Sequence, residues 1–233
     1  MGCWQTQRYF EKVVAIEQRE KDLAIAPEPL DDTQPQGLRR RLAEGEFLHN
    51  REILVGPRGP PPGALASSGP SAGRSGGGMS VSPQGYFVIT PFRTVSGQIV
   101  MINRGWIPRH FPDGGVSWEK TSGTVGVTVV PSKGEEPRFM TPEHNFDKSP
   151  PRFFWMDKKT LEEIAEVPQG QGILLKQVGD GQEKSTFPIL PPLETIGEFK
   201  TTPAVHVGYA FTWFGLSGAG LYMTRKLITR GRG

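Results

Sequence analysis

Residues 85–106, GYFVITPFRTVSGQIVMINRGW, decide the fold of this chain. They contain two runs of β-branched and aromatic residues, 85–92 and 98–106, with a turn signal at Ser96-Gly97 between them. Two such runs around a short polar turn predict an antiparallel β-hairpin. We therefore expect the centre of the chain to be rich in β-structure.

The sequence on either side predicts more short strands and a short helix. Residues 39–55 indicate two strands around a polar turn, and residues 123–130 and 171–178 indicate one strand each. Residues 152–157 favour a further strand, and residues 158–166 favour a helix that ends before a proline. Several short strands with one or two helices are typical of an α+β or barrel-like domain.

The predicted fold class is therefore α+β. An antiparallel, β-rich and barrel-like soluble domain covers residues 26–200, between an N-terminal amphipathic helix and a C-terminal transmembrane helix. The N-terminal helix lies within residues 1–25, because its apolar residues have helical spacing and Pro27 must end it. Residues 56–84 are a Gly/Pro/Ser insert with little to bury, which predicts a disordered loop.

The last apolar stretch predicts the transmembrane helix. Residues 201–224, TTPAVHVGYAFTWFGLSGAGLYMT, carry no charge when His206 is neutral. About 20 helical residues match the hydrocarbon thickness of a bilayer, so we expect residues 203–224 to span a membrane. By the positive-inside bias, the basic tail 225–233 would stay on the cytoplasmic or matrix side. The alternative is a buried core helix, which each glycine in the run would weaken by about 1 kcal/mol.

The charge balance argues against a nucleic-acid-binding protein. The chain has 27 basic and 24 acidic residues, but four of the basic residues lie in the tail. The preceding chain therefore carries 23 basic against 24 acidic residues. A nucleic-acid-binding surface needs basic residues clustered on the folded domain, so we expect no nucleic-acid partner.

The residue pattern also argues against an enzyme or a metal centre built by the domain. Cys3 is the single cysteine, which excludes an internal disulfide and a CxxC site. His49, His110 and His144 share no metal-ligand spacing. Because no nucleophile, phosphate-binding loop or paired acids form a catalytic set, we predict a protein without enzymatic activity.

Four sequence blocks follow one another along the chain. They are MGCWQTQRYFEKV (1–13), GYFVITPF with MINRGWIPR (85–109), MTPEHNFDKSPPRFFWMDKKTLEEIA (140–165) and VHVGYAFTWFGLS (205–217). Together these blocks resemble the Surfeit locus protein 1 family, the cytochrome c oxidase assembly factors. Members of that family carry a membrane helix directly before the WQ motif, and this chain begins there. Residues 1–25 are thus expected to be a stub after a missing first membrane helix, which makes the chain single-pass.

The resemblance implies an assembly factor of the mitochondrial inner membrane. Such a protein would deliver haem a to the catalytic subunit of cytochrome c oxidase, or act as a chaperone that stabilises this subunit. Its expected partners are the membrane, the catalytic subunit and other assembly factors. The domain over residues 26–200 would face the intermembrane space, and the tail 225–233 would face the matrix.

His206 is the residue of greatest interest in the apolar stretch. A neutral imidazole can serve as an axial ligand of haem iron, and Tyr209 and Trp213 follow at helical spacing, where they could flank a porphyrin. The resemblance adds weight to haem a, because bacterial members of the family are thought to bind it through the matching histidine. The other interpretation is that the three side chains form an interfacial aromatic belt.

Three further hypotheses remain open. The protein could be a membrane-anchored scaffold that binds no haem, or, less in keeping with the sequence, a membrane-tethered enzyme with a site near Arg104, Glu143 and Asp157. Arg104 could also hold a haem propionate, although such an arginine more often closes a strand edge by pairing with a carboxylate or carbonyls.

Overall fold

The computed structural model describes residues 2–31, 37–61, 83–137, 139–179, 186–196 and 203–231. In chain order the elements are α1 (Gly2–Ala24), β1 (Glu28–Pro29), β2 (Arg41–Phe47), a 3₁₀ turn (His49–Arg51), β3 (Ile53–Arg58), β4 (Gly85–Thr94), β5 (Ile99–Pro108), α2 (His110–Asp113), β6 (Val125–Pro131), β7 (Arg152–Phe153), α3 (Lys158–Ala165), β8 (Leu174–Gln177), α4 (Leu193–Ile196) and α5 (Pro203–Arg230). The chain forms two compact units. One is Asp22–Ile196, and the other combines Met1–Lys21 with Gly197–Gly233.

Five strands of the first unit close into a barrel. The order of pairing is β2, β6, β8, β5 and β4, after which β4 pairs back onto β2. All of these pairs are antiparallel except β5 and β8, which run parallel. Closure pairs the edges that an open sheet would leave exposed. The predicted central hairpin is β4 with β5, and the barrel-like α+β domain is confirmed.

The barrel closes at Gly45, which pairs with two strands. Gly45 lies opposite Val125 on β6 and opposite Thr94 on β4. A Cβ atom added to Gly45 would lie 2.0 Å from the carbonyl oxygen of Arg93. Only glycine allows the backbones to approach this closely, so this residue permits β2 to turn from one neighbour to the other.

Alternation along the strands separates the two largest groups of buried apolar residues. One core fills the barrel, and its buried members are Ala43, Phe47, Phe92, Val100, Ile102, Val127, Val129, Ile173 and Leu175. The second core lies on the outer side of β3, β4 and β5, where α3 covers it through Leu161 and Ala165. Successive residues of a strand point to opposite faces, which explains why Met101 belongs to the outer core and Ile102 to the inner one.

The structure confirms most of the predicted elements and corrects the start of one predicted segment. Helix α1 ends at Ala24, before Pro27, and α3 covers the helix expected over residues 158–166. The insert predicted over residues 56–84 begins too early, because residues 56–58 continue β3. Residues 62–82 of that insert lie outside the described residues.

The structure does not support the expected transmembrane helix. Residues 203–224 are helical, as part of α5, and the predicted helix is therefore present. However, no helix in the described ranges is both long and apolar enough to cross a bilayer. The physical reason lies in the composition of α5, where glycines, hydroxyl side chains and His206 dilute the apolar residues.

Candidate functional site

The residue singled out near the start of α5 is held by a side chain of α1. Nδ1 of His206 lies 2.8 Å from Oε1 of Gln5, and both residues are half-buried. Both belong to the unit formed by the two ends of the chain. The WQ motif and the His206 motif are about two hundred positions apart in the sequence. The fold brings them into direct contact.

Close packing of α1 against α5 allows this contact. Gly2 is buried, and a Cβ atom there would lie 2.8 Å from the ring of Phe214. Ala210, one turn from His206 and one turn from Phe214, is also buried. His206, Ala210 and Phe214 therefore form the stripe of α5 that faces α1.

Tyr209 and Trp213 lie about one and two turns after His206 on α5 and are more exposed than His206. Their relative exposures are 55% and 41%, and no ring contact joins either of them to His206 among the described residues. The structure thus does not gather the three predicted side chains around one closed pocket. It places His206 against α1 and leaves the two aromatic residues open to a partner.

The hydroxyl groups of Thr212 and Ser217 are satisfied within α5. Thr212 donates to the carbonyl oxygen of Gly208, and Ser217 donates to that of Trp213. A Cβ atom at Gly208 or Gly215 would meet nothing within 4 Å. Gly208, Thr212, Gly215 and Ala219 form a small-residue face of α5, with open space at its glycines and a Thr212 hydroxyl that is already hydrogen-bonded.

The barrel unit contains a separate polar cluster, centred on Glu52. Its carboxylate accepts hydrogen bonds of 3.0 Å from the Thr90 hydroxyl and from Nε1 of Trp118. Nη1 of Arg104 and Nδ1 of His49 each lie 3.5 Å from its Oε2 atom. Burial lowers the pKa of Arg104, while the carboxylate of Glu52 opposes that shift. At the centre of this cluster is the buried ion pair of Glu52 and Arg104.

The same cluster fixes the segment that follows α2. Nη2 of Arg104 donates to the carbonyl oxygen of Glu119 at 2.9 Å, and Nε2 of His49 lies 2.8 Å from that of Thr121. The Arg104 guanidinium also lies over the Phe47 ring. These contacts match the hypothesis that Arg104 pairs with a carboxylate and carbonyls. The guanidinium lies in the barrel interior and not at an exposed strand edge.

The remaining predicted residues have local structural contacts. His144 stacks on Phe153 with ring centroids 4.1 Å apart, and burial lowers the pKa of its imidazole. Asp157 caps α3 by accepting from the Lys159 amide, and Glu143 is exposed. In the described part of the chain, no hydrogen bond or ion pair joins Arg104, Glu143 and Asp157 into one catalytic group. In the same part of the chain, no three metal-ligating side chains come together.

Sequence reasoning missed the two residues that give these clusters their chemistry. Gln5 looked like one polar residue among several on an amphipathic helix. Glu52 looked like an ordinary acid at a strand end. The available signal for Gln5 was its position in the WQ block, since that block and the His206 block occur together in the resemblance.

The described residues define a class of protein by two features. One unit contains a closed five-stranded barrel, and the other contains a pair of helices from the two ends of the chain, in which a glutamine holds a histidine. The model of the SURF1 family matches residues 1–218. The SURF1-like protein of Drosophila melanogaster is 29% identical over 244 residues, which cover 99% of this chain and 73% of that protein. Surfeit locus protein 1 of Homo sapiens is 30% identical over 239 residues, covering 99% and 74%.

A plant relative matches over a comparable share of both chains at lower identity. Surfeit locus protein 1 of Arabidopsis thaliana is 24% identical over 279 residues, which cover 98% of this chain and 73% of that protein. The chain belongs to the SURF1 family. At the level of the family, this membership implies a role in cytochrome c oxidase assembly and a mitochondrial location.

Proposed function

We propose that this protein is an assembly factor of the mitochondrial inner membrane that delivers haem a to the catalytic subunit of cytochrome c oxidase. It has no enzymatic activity of its own in this proposal. Haem a is its cargo, and His206 provides the axial ligand. The catalytic subunit and other assembly factors are its partners.

The geometry of His206 is the observation that carries the proposal. Its Nδ1 atom is engaged by Gln5 at 2.8 Å, whereas Nε2 takes part in no hydrogen bond among the described residues. A histidine that ligates a metal usually has one ring nitrogen held by a neighbouring polar group and the other directed to the metal. His206 therefore has the arrangement that an axial ligand requires.

Tyr209 and Trp213 fit the same role from the outside. Both are exposed on α5 within two turns of His206, so an incoming partner can cover them. Aromatic side chains supply large apolar contact areas for a porphyrin or for a protein surface. Their exposure suits a transient carrier, because cargo that must be released is not enclosed on all sides.

The second candidate is a scaffold that stabilises the catalytic subunit without binding haem. The observation that favours it is the number of large apolar side chains exposed on α5, among them Phe211, Leu216 and Leu221. Exposed apolar patches of this kind mark surfaces that a partner covers. In this case α5 would be the docking surface, and His206 would only help to join α5 to α1.

A titration with ferric haem separates the two candidates. The full chain, its His206→Ala variant and its His110→Ala variant are titrated while the Soret absorbance is recorded. His110 begins α2 in the barrel unit and serves as the matched control. We expect saturation near one haem per chain for the wild type and for the control, and at least about 10-fold weaker binding for His206→Ala, which corresponds to about 1.4 kcal/mol.

Equal affinity of the wild type and His206→Ala would remove His206 as the ligand. Absence of haem binding by all three proteins would favour the scaffold. The position of residues 26–200 in the intermembrane space stays a prediction, and a matrix position of the tail 225–233 would require α5 to cross the membrane, which the described helices do not support. Protease protection in intact mitochondria and in mitoplasts tests both positions.

A further inference from the structure

We propose that Gln5 is a positioning residue that fixes the tautomer of His206 and so presents its Nε2 atom for ligation. This inference rests on the proposed function for its purpose. The hydrogen bond itself can be tested without any haem. The relevant geometry is the 2.8 Å contact between Oε1 of Gln5 and Nδ1 of His206.

The chemistry of the amide oxygen determines the tautomer. An amide oxygen can only accept a hydrogen bond, so the proton of the contact belongs to Nδ1 of His206. In a neutral imidazole only one ring nitrogen carries a proton, which leaves the lone pair on Nε2. A free imidazole side chain favours the opposite tautomer, with the proton on Nε2. Gln5 therefore selects the form that can donate electrons from Nε2.

The packing around Gln5 explains why it can perform this role. Gly2 lies one turn before Gln5 on α1 and has no side chain, which allows the ring of Phe214 to approach the helix closely. The Thr6 hydroxyl donates to the carbonyl oxygen of Gly2 at 3.1 Å and thus does not compete for His206. Gln5 is left as the polar side chain of α1 that reaches the imidazole.

The next glutamine on α1 provides a matched control. Nε2 of Gln7 donates to the carboxylate of Glu11 at 2.9 Å, and Gln7 is exposed. A glutamine-to-leucine substitution therefore changes helix propensity and polarity in the same way at Gln5 and at Gln7. Only the change at Gln5 removes the partner of His206.

The first experiment measures the tautomer in haem-free protein. Full-length chains labelled with ¹⁵N-histidine are studied by long-range ¹H–¹⁵N correlation, and His206→Ala assigns the His206 signals among the four histidines. We expect a protonated Nδ1 in the wild type, in Gln7→Leu and in Gln5→Glu, which keeps an acceptor. We expect Gln5→Leu to move the proton to Nε2.

The second experiment measures ferric haem binding by the same variants. Loss of a hydrogen bond to a metal-ligating histidine lowers affinity about 10-fold to 100-fold. We expect that loss for Gln5→Leu, recovery for Gln5→Glu and no change for Gln7→Leu. Circular dichroism of each variant checks that α1 and α5 remain helical.

The outcomes separate this inference from the proposed function. A wild-type His206 with the proton on Nε2, or an unchanged tautomer in Gln5→Leu, overturns the role of Gln5. If the tautomer depends on Gln5 but no variant binds ferric haem, the positioning role is supported and haem delivery fails. If the tautomer and the affinity change together, both are supported.

Discussion

The buried ion pair of the barrel allows a quantitative prediction about stability. We consider Glu52→Gln, which keeps the shape of the side chain but removes its charge. The side chains of Glu52 and Arg104 are 1% and 5% exposed, so water cannot compensate either charge. The substitution therefore leaves the buried Arg104 guanidinium without the carboxylate that pairs with it directly.

The distance between the two charges sets the magnitude. With Nη1 and Oε2 3.5 Å apart, an effective dielectric constant of about 20 gives an attraction of about 5 kcal/mol. Measured losses when one partner of a buried pair is removed are about 3–5 kcal/mol. We expect Glu52→Gln to lower the free energy of unfolding by that amount. Such a loss is a large part of the stability of an ordinary domain.

Urea unfolding of the full chain, followed by far-ultraviolet circular dichroism, measures this loss. Glu46→Gln on β2 is the matched control, because Glu46 is exposed and its loss should change stability by no more than about 0.5 kcal/mol. A separate double-mutant cycle compares Glu52→Leu, Arg104→Met and the variant that carries both substitutions. We expect the double variant to be more stable than the sum of the single losses predicts.

Two results would refute the reasoning. One is a loss below about 1 kcal/mol for Glu52→Gln, which would mean that water reaches the guanidinium. The other is strict additivity in the cycle, which would mean that the two charges do not interact. In either case the cluster would be ordinary polar packing.

Three other predictions follow from single contacts. Gly45→Ala places a Cβ atom 2.0 Å from a carbonyl oxygen and should lower the free energy of unfolding by about 2 kcal/mol or more. In the control variant Gly126→Ala the nearest atom is 3.7 Å from the new Cβ, so the same urea assay should show a much smaller loss. Burial lowers the pKa of His144 below its ordinary value of 6.5, so the unfolded chain takes up the proton first. The free energy of unfolding should therefore be highest above pH 6.5 and should decrease as the pH falls below that value. In urea unfolding at a series of pH values, His144→Gln should make this decrease smaller. The Glu162 carboxylate accepts hydrogen bonds from the backbone amides of Gly170 and Gly172 at 2.9 Å. Glu162→Ala should therefore lower the free energy of unfolding by about 2–4 kcal/mol and speed the hydrogen exchange of both amides. Unchanged exchange of these amides would contradict the prediction.

The local elements could be predicted because their signals are short-range. The two runs of residues 85–106 and the turn between them became β4 and β5, paired from Gly85 with Pro108 to Arg93 with Ile99. Helix α3 was predicted as a short helix that ends before a proline. Such patterns depend on neighbours within a few positions, and tertiary contacts did not override them.

The long-range pairings were not predictable in the same way. Nothing in the local pattern of β2 states that it pairs with both β4 and β6, or that β8 runs parallel to β5. The prediction of a transmembrane helix gave too much weight to local features of α5. The absence of charge and the length of α5 suggested a spanning helix, but its glycines and hydroxyl residues reduce its apolar character below what crossing requires.

The sequence by itself determined the α+β class, the order of the elements, the family and His206 as the residue to test. These follow from local periodicity and from motifs that can be read in one dimension. Only the tertiary structure decided the partners of the polar residues: Gln5 for His206, and Glu52 for Arg104. A hydrogen bond or ion pair depends on distances of a few ångströms between atoms far apart in the chain. The path of the folded backbone alone sets those distances.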